Sequence, residues 1–389
     1  MKLVANSKYQ KLANSSLIIK EIMKAPISRV ALANKLGLQP STVTYSTARL
    51  IEIGLVKEVA SDSIDGKKGR KSILLGLDPD YGVVCGVELL VASYRVIVSN
   101  VAGAIIANES FVYDDSVNAE KGTRERFVQI LSCIRNKLEE SRGSLRICGA
   151  CLAIAGIVSQ NGQKIIDSWT HGLSCEDFSK ELAEYDYPIF FENDANCAAQ
   201  KYLLGNKYNF DSYLYVLVHY YKPEVIPKSV PSVGIGMGVV IDGSLYRGWT
   251  NRAGEFRSVF FSRNTQIGQL SLSNDELIAL GQDKETQKLF TKEVLSNLFS
   301  AEAILNPRVI YLCGDLISKE VVDEVIEEYF ASLKNEFLKT EVDCLQVVED
   351  YTWDVSYGAC SLVLDYMFQV PKLGDNQLGA PWKWQQRIS

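Results

Sequence analysis

Apolar residues between positions 15 and 59 recur at the three- and four-residue spacing of amphipathic helices. This spacing predicts three short helices, over 16–24, 29–36 and 40–53. Turn-forming residues separate and end them: Pro26, Gly37 and Gly54. Ser28 is a favoured N-cap for the second helix, and Pro40 is a favoured first residue for the third. We therefore expect a three-helix unit near the N-terminus.

A β-hairpin is predicted directly after these helices. Residues 55–59 and 71–75 have the composition of strands, and the polar stretch 61–69 lies between them. A hairpin that follows three short helices is the wing of a winged helix-turn-helix domain.

Beyond Leu77 the pattern changes to strands separated by helical stretches, which is typical of an α/β domain. Strands are predicted over 82–91, 94–101, 104–113, 146–154, 212–219, 238–241 and 309–313. Helices are predicted over 124–141, 274–280, 286–305 and 319–339. The tail 371–389 has no clear period and is expected to be a packed extension. We expect one domain over 1–76 and a second over 77–389, with lobes over 77–196 and 197–389.

The charge is distributed unevenly along the chain. Residues 1–75 contain 13 Lys and Arg against five Asp and Glu, whereas the remaining residues contain 28 against 42. A basic segment joined to an acidic one indicates that the basic part meets a polyanion, although solvated surface lysines fit the charge alone equally well.

Cysteine usage and hydropathy bear on the compartment. The nine Cys are odd in number and irregularly spaced, which argues against a disulfide framework and favours reduced, buried thiols. The chain has no apolar run of about 18 residues and no signal-peptide pattern at its start. We expect a cytoplasmic protein that does not enter a membrane.

The second and third predicted helices have the arrangement of a helix-turn-helix. The turn at Gly37 sets them at a steep angle, and apolar residues supply their shared contact: Leu32, Leu36, Leu38, Val43 and Leu50. The opposite face of the third helix carries polar residues suited to base edges and phosphates: Ser41, Thr42, Thr44, Tyr45 and Arg49. This face is the candidate DNA-reading surface.

The polar turn of the hairpin contains four cations beside glycines at 66 and 69: Lys67, Lys68, Arg70 and Lys71. Such a turn can approach a phosphate closely or insert Arg70 into a narrow minor groove, while an exposed charged loop is the alternative. Because helix-turn-helix and basic turn follow each other within some 60 residues, we expect double-stranded operator DNA as a partner.

Three motifs in the α/β domain stand out: Glu-Asn-Asp-Ala-Asn at 192–196, Gly-Ile-Gly-Met-Gly-Val-Val-Ile-Asp-Gly at 234–243, and Ala-Gly-Glu at 253–255. With these motifs at these separations, the chain resembles the ROK family of repressors, open reading frames and kinases, specifically its xylose-repressor-like regulators. The resemblance implies a two-lobed sugar-kinase-like domain of the actin/hexokinase type, with a ribonuclease H-like fold, behind the winged helix-turn-helix.

The resemblance also implies a sugar site. It assigns contacts with sugar hydroxyls to Asn193, Asp194 and Glu255 and places Gly156 at the cleft wall; amides and carboxylates suit a pyranose because its hydroxyls donate and accept. His171 is a further candidate, with a hydrogen-bonded surface histidine as the other interpretation. Asn193 and Asp194 could instead cap a helix, and Glu255 could be a surface carboxylate.

The residues needed for phosphoryl transfer are altered. The family's kinases use an aspartate at the position of Asp194 as base, together with a phosphate loop of the form Asp-x-Gly-Gly-Thr. At the corresponding place, 86–93, Glu88 replaces the aspartate, and larger side chains occupy the glycine positions: Leu89, Leu90 and Val91. We expect neither ATP nor another cofactor, and no enzymatic activity.

The family's zinc motif is also missing. Residues 258–281 contain neither His nor Cys, and the whole chain has only two histidines, His171 and His219. Since tetrahedral zinc needs about four such ligands, no metal is expected.

These features predict a sugar-responsive transcriptional regulator. We expect a homodimeric repressor that a mono- or disaccharide releases from its operator. Two alternatives stay open: an active ATP-dependent sugar kinase with an added DNA-binding domain, and a constitutive DNA-binding protein whose sugar cleft has no function.

Overall fold

The structure is a computed structural model that describes residues 7–59, 73–113, 122–203, 212–222, 231–262, 268–330, 344–370 and 382–388. Its helices are α1 Ser7–Lys24, α2 Arg29–Leu36, α3 Pro40–Glu52, α4 Thr123–Ser141, α5 Ser179–Leu182, α6 Asp194–Gln200, α7 Asn274–Ala279, α8 Lys284–Leu305, α9 Lys319–Tyr329, α10 Asp354–Met367 and α11 Lys383–Ile388. Its strands are β1 Ile27–Ser28, β2 Val56–Val59, β3 Leu74–Leu77, β4 Val83–Leu89, β5 Ser93–Asn100, β6 Ile105–Val112, β7 Ile147–Ile154, β8 Ile157–Val158, β9 Lys164–Ser168, β10 Leu173–Asp177, β11 Ile189–Asn193, β12 Tyr213–Tyr220, β13 Val233–Ile241, β14 Ser244–Leu245, β15 Val309–Gly314 and β16 Leu345–Val347.

The N-terminal unit consists of α1, α2 and α3 with a three-stranded sheet in the order β1-β3-β2. The Ser28 hydroxyl accepts the Ala31 N–H at 3.2 Å, and Gly37 ends α2 with a φ of 62°, a left-handed conformation that glycine adopts without strain. Predicted α2 and α3 agree with the structure to within a residue, and α1 begins nine residues before its predicted start.

The hairpin forms as predicted, with a shift in its second strand. Val56 faces Leu77 and Val59 faces Leu74, so the returning strand ends at Leu77 rather than at residue 75. The turn between them, including the cations Lys67, Lys68, Arg70 and Lys71, lies outside the described residues.

The first sheet of the α/β domain has the order β11-β7-β4-β5-β6, in which β4, β7 and β11 are parallel. Alternate side chains of β4 point to opposite faces. Val83, Cys85 and Val87 pack in one cluster with the apolar side of α4, whereas Gly86 lies directly against the backbone of α10 at Ser356.

The second sheet has the order β14-β13-β12-β15-β16. One face of β12 packs with α8 and α9, and its other face carries Tyr213 and Tyr215 into the cluster that also holds α6 and α10. These two helices therefore form the layer between the sheets. The division of the lobes at 196/197 stays a prediction. The last strand of the first sheet ends at Asn193 and β12 begins at Tyr213, whereas α10, from the C-terminal part, packs on the first sheet.

Glycines allow α6 to pack closely against its neighbours. A Cβ at Gly238 would collide with the Ala195 carbonyl oxygen, and one at Gly236 would lie 3.1 Å from the Ala195 Cβ. On the other side of α6, a Cβ at Gly358 of α10 would collide with the Cys197 carbonyl oxygen. The backbone of α6 is thus clamped between β13 and α10.

The N-terminal unit rests on the end of α10 and on α11. Lys20 of α1 lies 3.2 Å from Asp365, and the Ser16 hydroxyl donates to the Gln369 carbonyl at 3.2 Å. Ile18 and Ile19 belong to the same buried cluster as Trp384. This contact joins the helix-turn-helix to the α/β domain.

Three regions depart from the predicted elements. The pattern predicts no helix over 354–367, because α10 is buried on nearly all sides and lacks an amphipathic period. Of the tail 371–389, residues 382–388 are described; they form the short helix α11, where the sequence predicts an extension without a helix, and Trp384 and Ile388 are buried. Helix α9 ends at Tyr329, just before residues outside the described set. In the described part of the chain, no helix is both long and apolar enough to span a membrane.

We predict that Gly358→Ala lowers the free energy of unfolding of the α/β domain by about 3 kcal/mol, because the added methyl group overpacks the contact with Cys197. Gly76→Ala is the control, since its Cβ would lie at an ordinary 3.4 Å from Val59 and should change stability by less than about 1 kcal/mol. Chemical denaturation measures both; equal stabilities for the two variants would contradict the close packing.

Candidate functional site

The exposed face of α3 presents the polar side chains that the sequence indicates. Ser41, Thr44 and Tyr45 are exposed, while Thr42 and Arg49 are half-buried. Val43 and Leu50 on the opposite face are fully buried in the three-helix core. The helix therefore presents one polar face to solvent.

Tyr45 and Arg49 form a pair one helical turn apart. The Arg49 guanidinium lies 4.5 Å from the centre of the Tyr45 ring, and its Nη2 is 3.3 Å from the Tyr45 hydroxyl oxygen. Nearby, Arg29 donates to the Thr47 hydroxyl at 3.1 Å and pairs with Glu58 at 2.9 Å. These contacts brace α3 against α2 and the hairpin.

A second set of polar residues converges where the parallel strands end. Leu89, Ile154 and Asn193 are neighbours across β4, β7 and β11, so the residues at their carboxyl ends meet at one sheet edge. In open α/β sheets this edge is where ligands bind. Residues 88, 156 and 194 lie there, opposite the end of β12.

Asn193 has the capping role that the sequence leaves as an alternative. Its Oδ1 accepts the Asn196 N–H at 3.0 Å at the start of α6, and its Nδ2 donates to the Gly156 carbonyl at 3.0 Å. Gly156 has a φ of 148°, and a Cβ there would collide with the Asp167 carbonyl oxygen. Asn193 thus ties the wall of the cleft to α6.

Asp194 is buried and held from both sides. Its Oδ1 accepts the Ala195 N–H at 2.8 Å, and its Oδ2 lies 3.2 Å from Nε2 of His219 at the end of β12. Burial alone would lower the pKa of His219, but the hydrogen bond and charge of Asp194, with the charges of Glu88 and Asp315, raise it overall.

The backbone of Glu255 forms an isolated β-bridge with Gly236 of β13, and this bridge places Glu255 opposite Asp194. Its side chain is exposed to solvent at the cleft, yet loss of hydration and repulsion from Asp194 and Asp167 raise its pKa to about 7, against the opposing charge of Arg252. The exposed side chain also fits the surface carboxylate that the sequence leaves as an alternative, and its contact with a sugar stays a prediction.

His171 is half-buried, and its role as a sugar contact stays a prediction. Its Nδ1 lies 3.0 Å from the Thr170 hydroxyl and 3.3 Å from the Ser168 hydroxyl, and its ring meets Phe127 edge-on. Burial lowers its pKa to about 4, so the ring is neutral at physiological pH.

An aromatic contact between the lobes was not expected from the sequence. Trp169 meets Tyr221 at a ring-centre distance of 5.5 Å, and Tyr221 lies 5.9 Å from the His219 ring. A Cβ at Gly234 would lie 3.0 Å from Trp169, so glycine leaves room for the indole. The available signal was the pair of aromatic residues at 220 and 221 directly after a buried strand.

A tight turn joins β4 and β5 where the sequence predicts an altered phosphate loop. The Leu90 N–H donates to the Ser93 carbonyl at 2.9 Å, and the Tyr113 hydroxyl donates to the Leu90 carbonyl at 3.1 Å. Glu88 is buried and pairs with Arg95 at 2.9 Å; burial, only partly offset by Arg95, raises its pKa.

Asp315 follows β15 and lies at the same end of the second sheet as His219. Its Oδ2 accepts the Tyr220 N–H at 2.9 Å, and its Oδ1 accepts the Tyr351 hydroxyl at 2.8 Å. Within the described ranges, no three His, Cys, Asp or Glu side chains are grouped so as to hold a metal ion, and the absence of zinc stays a prediction.

Comparison with known families agrees with this architecture. Residues 84–269 match the ROK family, and residues 14–57 match a winged helix-turn-helix DNA-binding family. The chain therefore combines a ROK family domain with an N-terminal winged helix-turn-helix domain, which confirms the resemblance seen in the three motifs.

Among curated relatives, the chain is similar to the xylose repressor of Bacillus subtilis (strain 168), with 28% identity over 255 residues that cover 65% of this chain and 61% of that repressor. The match thus spans about three-fifths of that relative's length.

Solved structures share the fold. A ROK family transcriptional regulator described as a homologue of the E. coli Mlc protein gives a TM-score of 0.68 at 16% identity, covering 92% of this chain and 97% of that one. A ROK family glucokinase from Streptomyces griseus, in complex with glucose and AMPPNP, gives 0.53 at 15% identity, covering 72% and 99%. The two-lobed sugar-kinase-like fold is confirmed.

We predict that Glu255 titrates near pH 7 and that Asp194→Asn lowers its pKa, because the substitution removes a repelling carboxylate. Carbon-detected NMR of labelled glutamate side chains gives the value, with Glu255→Gln to assign the resonance. A Glu255 pKa in the ordinary range, or one that Asp194→Asn leaves unchanged, would refute this picture of the cleft.

Proposed function

We propose that this chain is a DNA-binding transcriptional repressor that releases its operator when a mono- or disaccharide binds between the two lobes. The observation that carries the proposal is the convergence of Asp194, Glu255 and His219 in a cleft of a chain that also has a winged helix-turn-helix. The names of the relatives, xylose repressors, support the same role.

In this proposal α3 lies in the major groove. Its exposed hydroxyls and the Tyr45–Arg49 pair read base edges: Ser41, Thr42, Thr44, Tyr45 and Arg49. The cations of the hairpin turn contact phosphates: Lys67, Lys68, Arg70 and Lys71. A homodimer would place two such units on a palindromic operator. Because DNA lies in the cytoplasm of the bacterial relatives, we also propose a cytoplasmic location for this protein.

The sugar lies against the carboxyl ends of β7 and β11. Asp194 and Glu255 accept hydrogen bonds from its hydroxyls, Asn193 donates its remaining amide N–H, and Gly156 leaves room at the wall. Neutral His171 sits behind Ser168 and Thr170 and is the least direct of these candidates. Trp169 and Tyr221 add an aromatic surface against which apolar sugar faces can pack.

A path of packed helices connects this cleft to DNA binding. Asp194 begins α6, α6 packs on α10, and the far end of α10 carries Asp365, which pairs with Lys20 of α1. A sugar shifts DNA affinity only if it prefers one of two arrangements of the lobes. A small rotation of α6 together with α10 would move the surface of α10 that contacts α1, and with it the helix-turn-helix.

We further propose that the chain has no kinase activity and needs no cofactor. Kinases neutralise ATP phosphates with backbone N–H groups and cations. Here the corresponding turn carries Leu89 and Leu90, and Arg95 is already paired with the buried Glu88 and does not neutralise a phosphate. The carboxylates around this turn would repel a phosphate.

We predict that Arg70→Ala weakens binding to all DNA sequences and lowers the salt dependence by about one unit of slope, since one phosphate contact is lost. Thr44→Ala and Tyr45→Ala should instead change sequence preference. Fluorescence anisotropy on duplexes selected by the wild-type protein measures both effects, with Lys319→Ala, an exposed cation of α9, as control. Unchanged binding by all three variants would rule out this DNA surface.

A sugar panel separates a sensor from a functionless cleft. D-xylose, D-glucose, D-galactose, D-mannose and maltose are tested for thermal shifts, because a ligand at a hundredfold excess over its Kd stabilises the native state by roughly 2.7 kcal/mol. We expect at least one sugar to raise the Tm of the wild type but not of Asp194→Ala. No shift with any sugar would favour a constitutive DNA-binding protein, and sugar-dependent ATP consumption would favour the kinase.

A further inference from the structure

His219 is the one residue of the second sheet that hydrogen-bonds Asp194 among the described residues. It lies at the end of β12, opposite Gly234 of β13, whereas Asp194 follows β11 of the first sheet. The 3.2 Å contact between His219 Nε2 and Asp194 Oδ2 therefore crosses from one lobe to the other.

The surroundings of His219 are acidic on several sides. Asp194 faces it from α6, Glu88 from β4 and Asp315 from the segment after β15, and the Tyr221 ring lies beside it. Arg95 of β5 is paired with Glu88 at 2.9 Å. A protonated imidazole at this position offsets the repulsion among three carboxylates.

The contact leaves Asp194 able to bind a sugar. A carboxylate has about four lone-pair sites. The Ala195 N–H uses one on Oδ1 and His219 uses one on Oδ2, so each oxygen keeps a site for a hydroxyl donor. Holding both oxygens before the ligand arrives removes an entropic cost from binding.

We propose that His219 is a positioning residue of the sugar site: it fixes the Asp194 carboxylate from the opposite lobe and thereby links sugar binding to the relative placement of the lobes. The inference rests on the proposed sugar-sensing function. His219 lies in none of the three motifs and is 25 positions from Asp194 in the chain.

Protonation of His219 gives sugar binding a pH dependence. The pKa of His219 is raised, so the imidazolium is present below that pKa and is lost as the pH rises through it; sugar affinity then falls, because Asp194 loses its partner charge. Glu255 acts in the opposite direction, since its carboxylate gains acceptor strength above a pKa of about 7. A fall in affinity at high pH thus distinguishes the effect of His219 from that of Glu255.

The test is isothermal titration calorimetry of the full-length protein with D-xylose, D-glucose, D-galactose, D-mannose and maltose, from about pH 6 to about pH 9. We expect His219→Leu to weaken sugar binding by about tenfold or more, and His219→Gln, which keeps an N–H donor without the charge, to weaken it less. In His219→Gln the fall in affinity at high pH should disappear. Tyr220→Phe, on the opposite face of the same strand, is the control and should bind within about twofold of wild type.

The outcomes distinguish a failure of the sugar-sensing function from a failure of the positioning role of His219. If the wild type binds no sugar, the sugar-sensing function fails, and this role for His219 fails with it. If the wild type binds a sugar and both His219 variants bind it within about twofold and with a parallel pH profile, the function stands and the positioning role is wrong. Should His219→Leu not fold, the pH comparison between wild type and His219→Gln still decides.

Discussion

The close packing of α6 between β13 and α10 is the constraint on which the cleft depends. Gly236, Gly238 and Gly358 let the backbone of this seven-residue helix approach both neighbours, and no larger side chain would fit at Gly238 or Gly358 without displacement. Because Asp194 is the first residue of α6, the same packing sets the position of its carboxylate. Gly236 and Gly238 of the second motif therefore support the position of α6 and of Asp194.

The cleft is built from charges that oppose one another. Glu88, Asp194, Glu255 and Asp315 lie around it, and their charges are met by Arg95, Arg252 and His219. An arrangement with so many carboxylates suits a neutral polyhydroxyl ligand, whose hydroxyls donate hydrogen bonds, better than a nucleotide phosphate. The fold is shared with sugar kinases, and we propose that the charges at the ends of the strands serve sensing and not phosphoryl transfer.

Features with a local cause could be predicted from the sequence. Ser28, Gly37 and Pro40 act within one helical turn, so the helix boundaries of the N-terminal unit follow from residue type. The hairpin register depends on the pairing of Val56 with Leu77, which no local rule specifies, and the returning strand was misplaced accordingly. Helix α10 was missed because burial on nearly every side removes the amphipathic period.

The same distinction holds at the site. The motif residues 193, 194 and 255 could be named, but His219 and the Trp169–Tyr221 contact arise only when the two sheets face each other. In the proposed function, sugar occupancy controls DNA binding, and fluorescence anisotropy of a labelled duplex selected by the sugar-free protein tests this most directly. We expect a stabilising sugar to release the duplex from the wild type but not from Asp194→Asn. Equal DNA affinity with and without every sugar that binds would contradict the account.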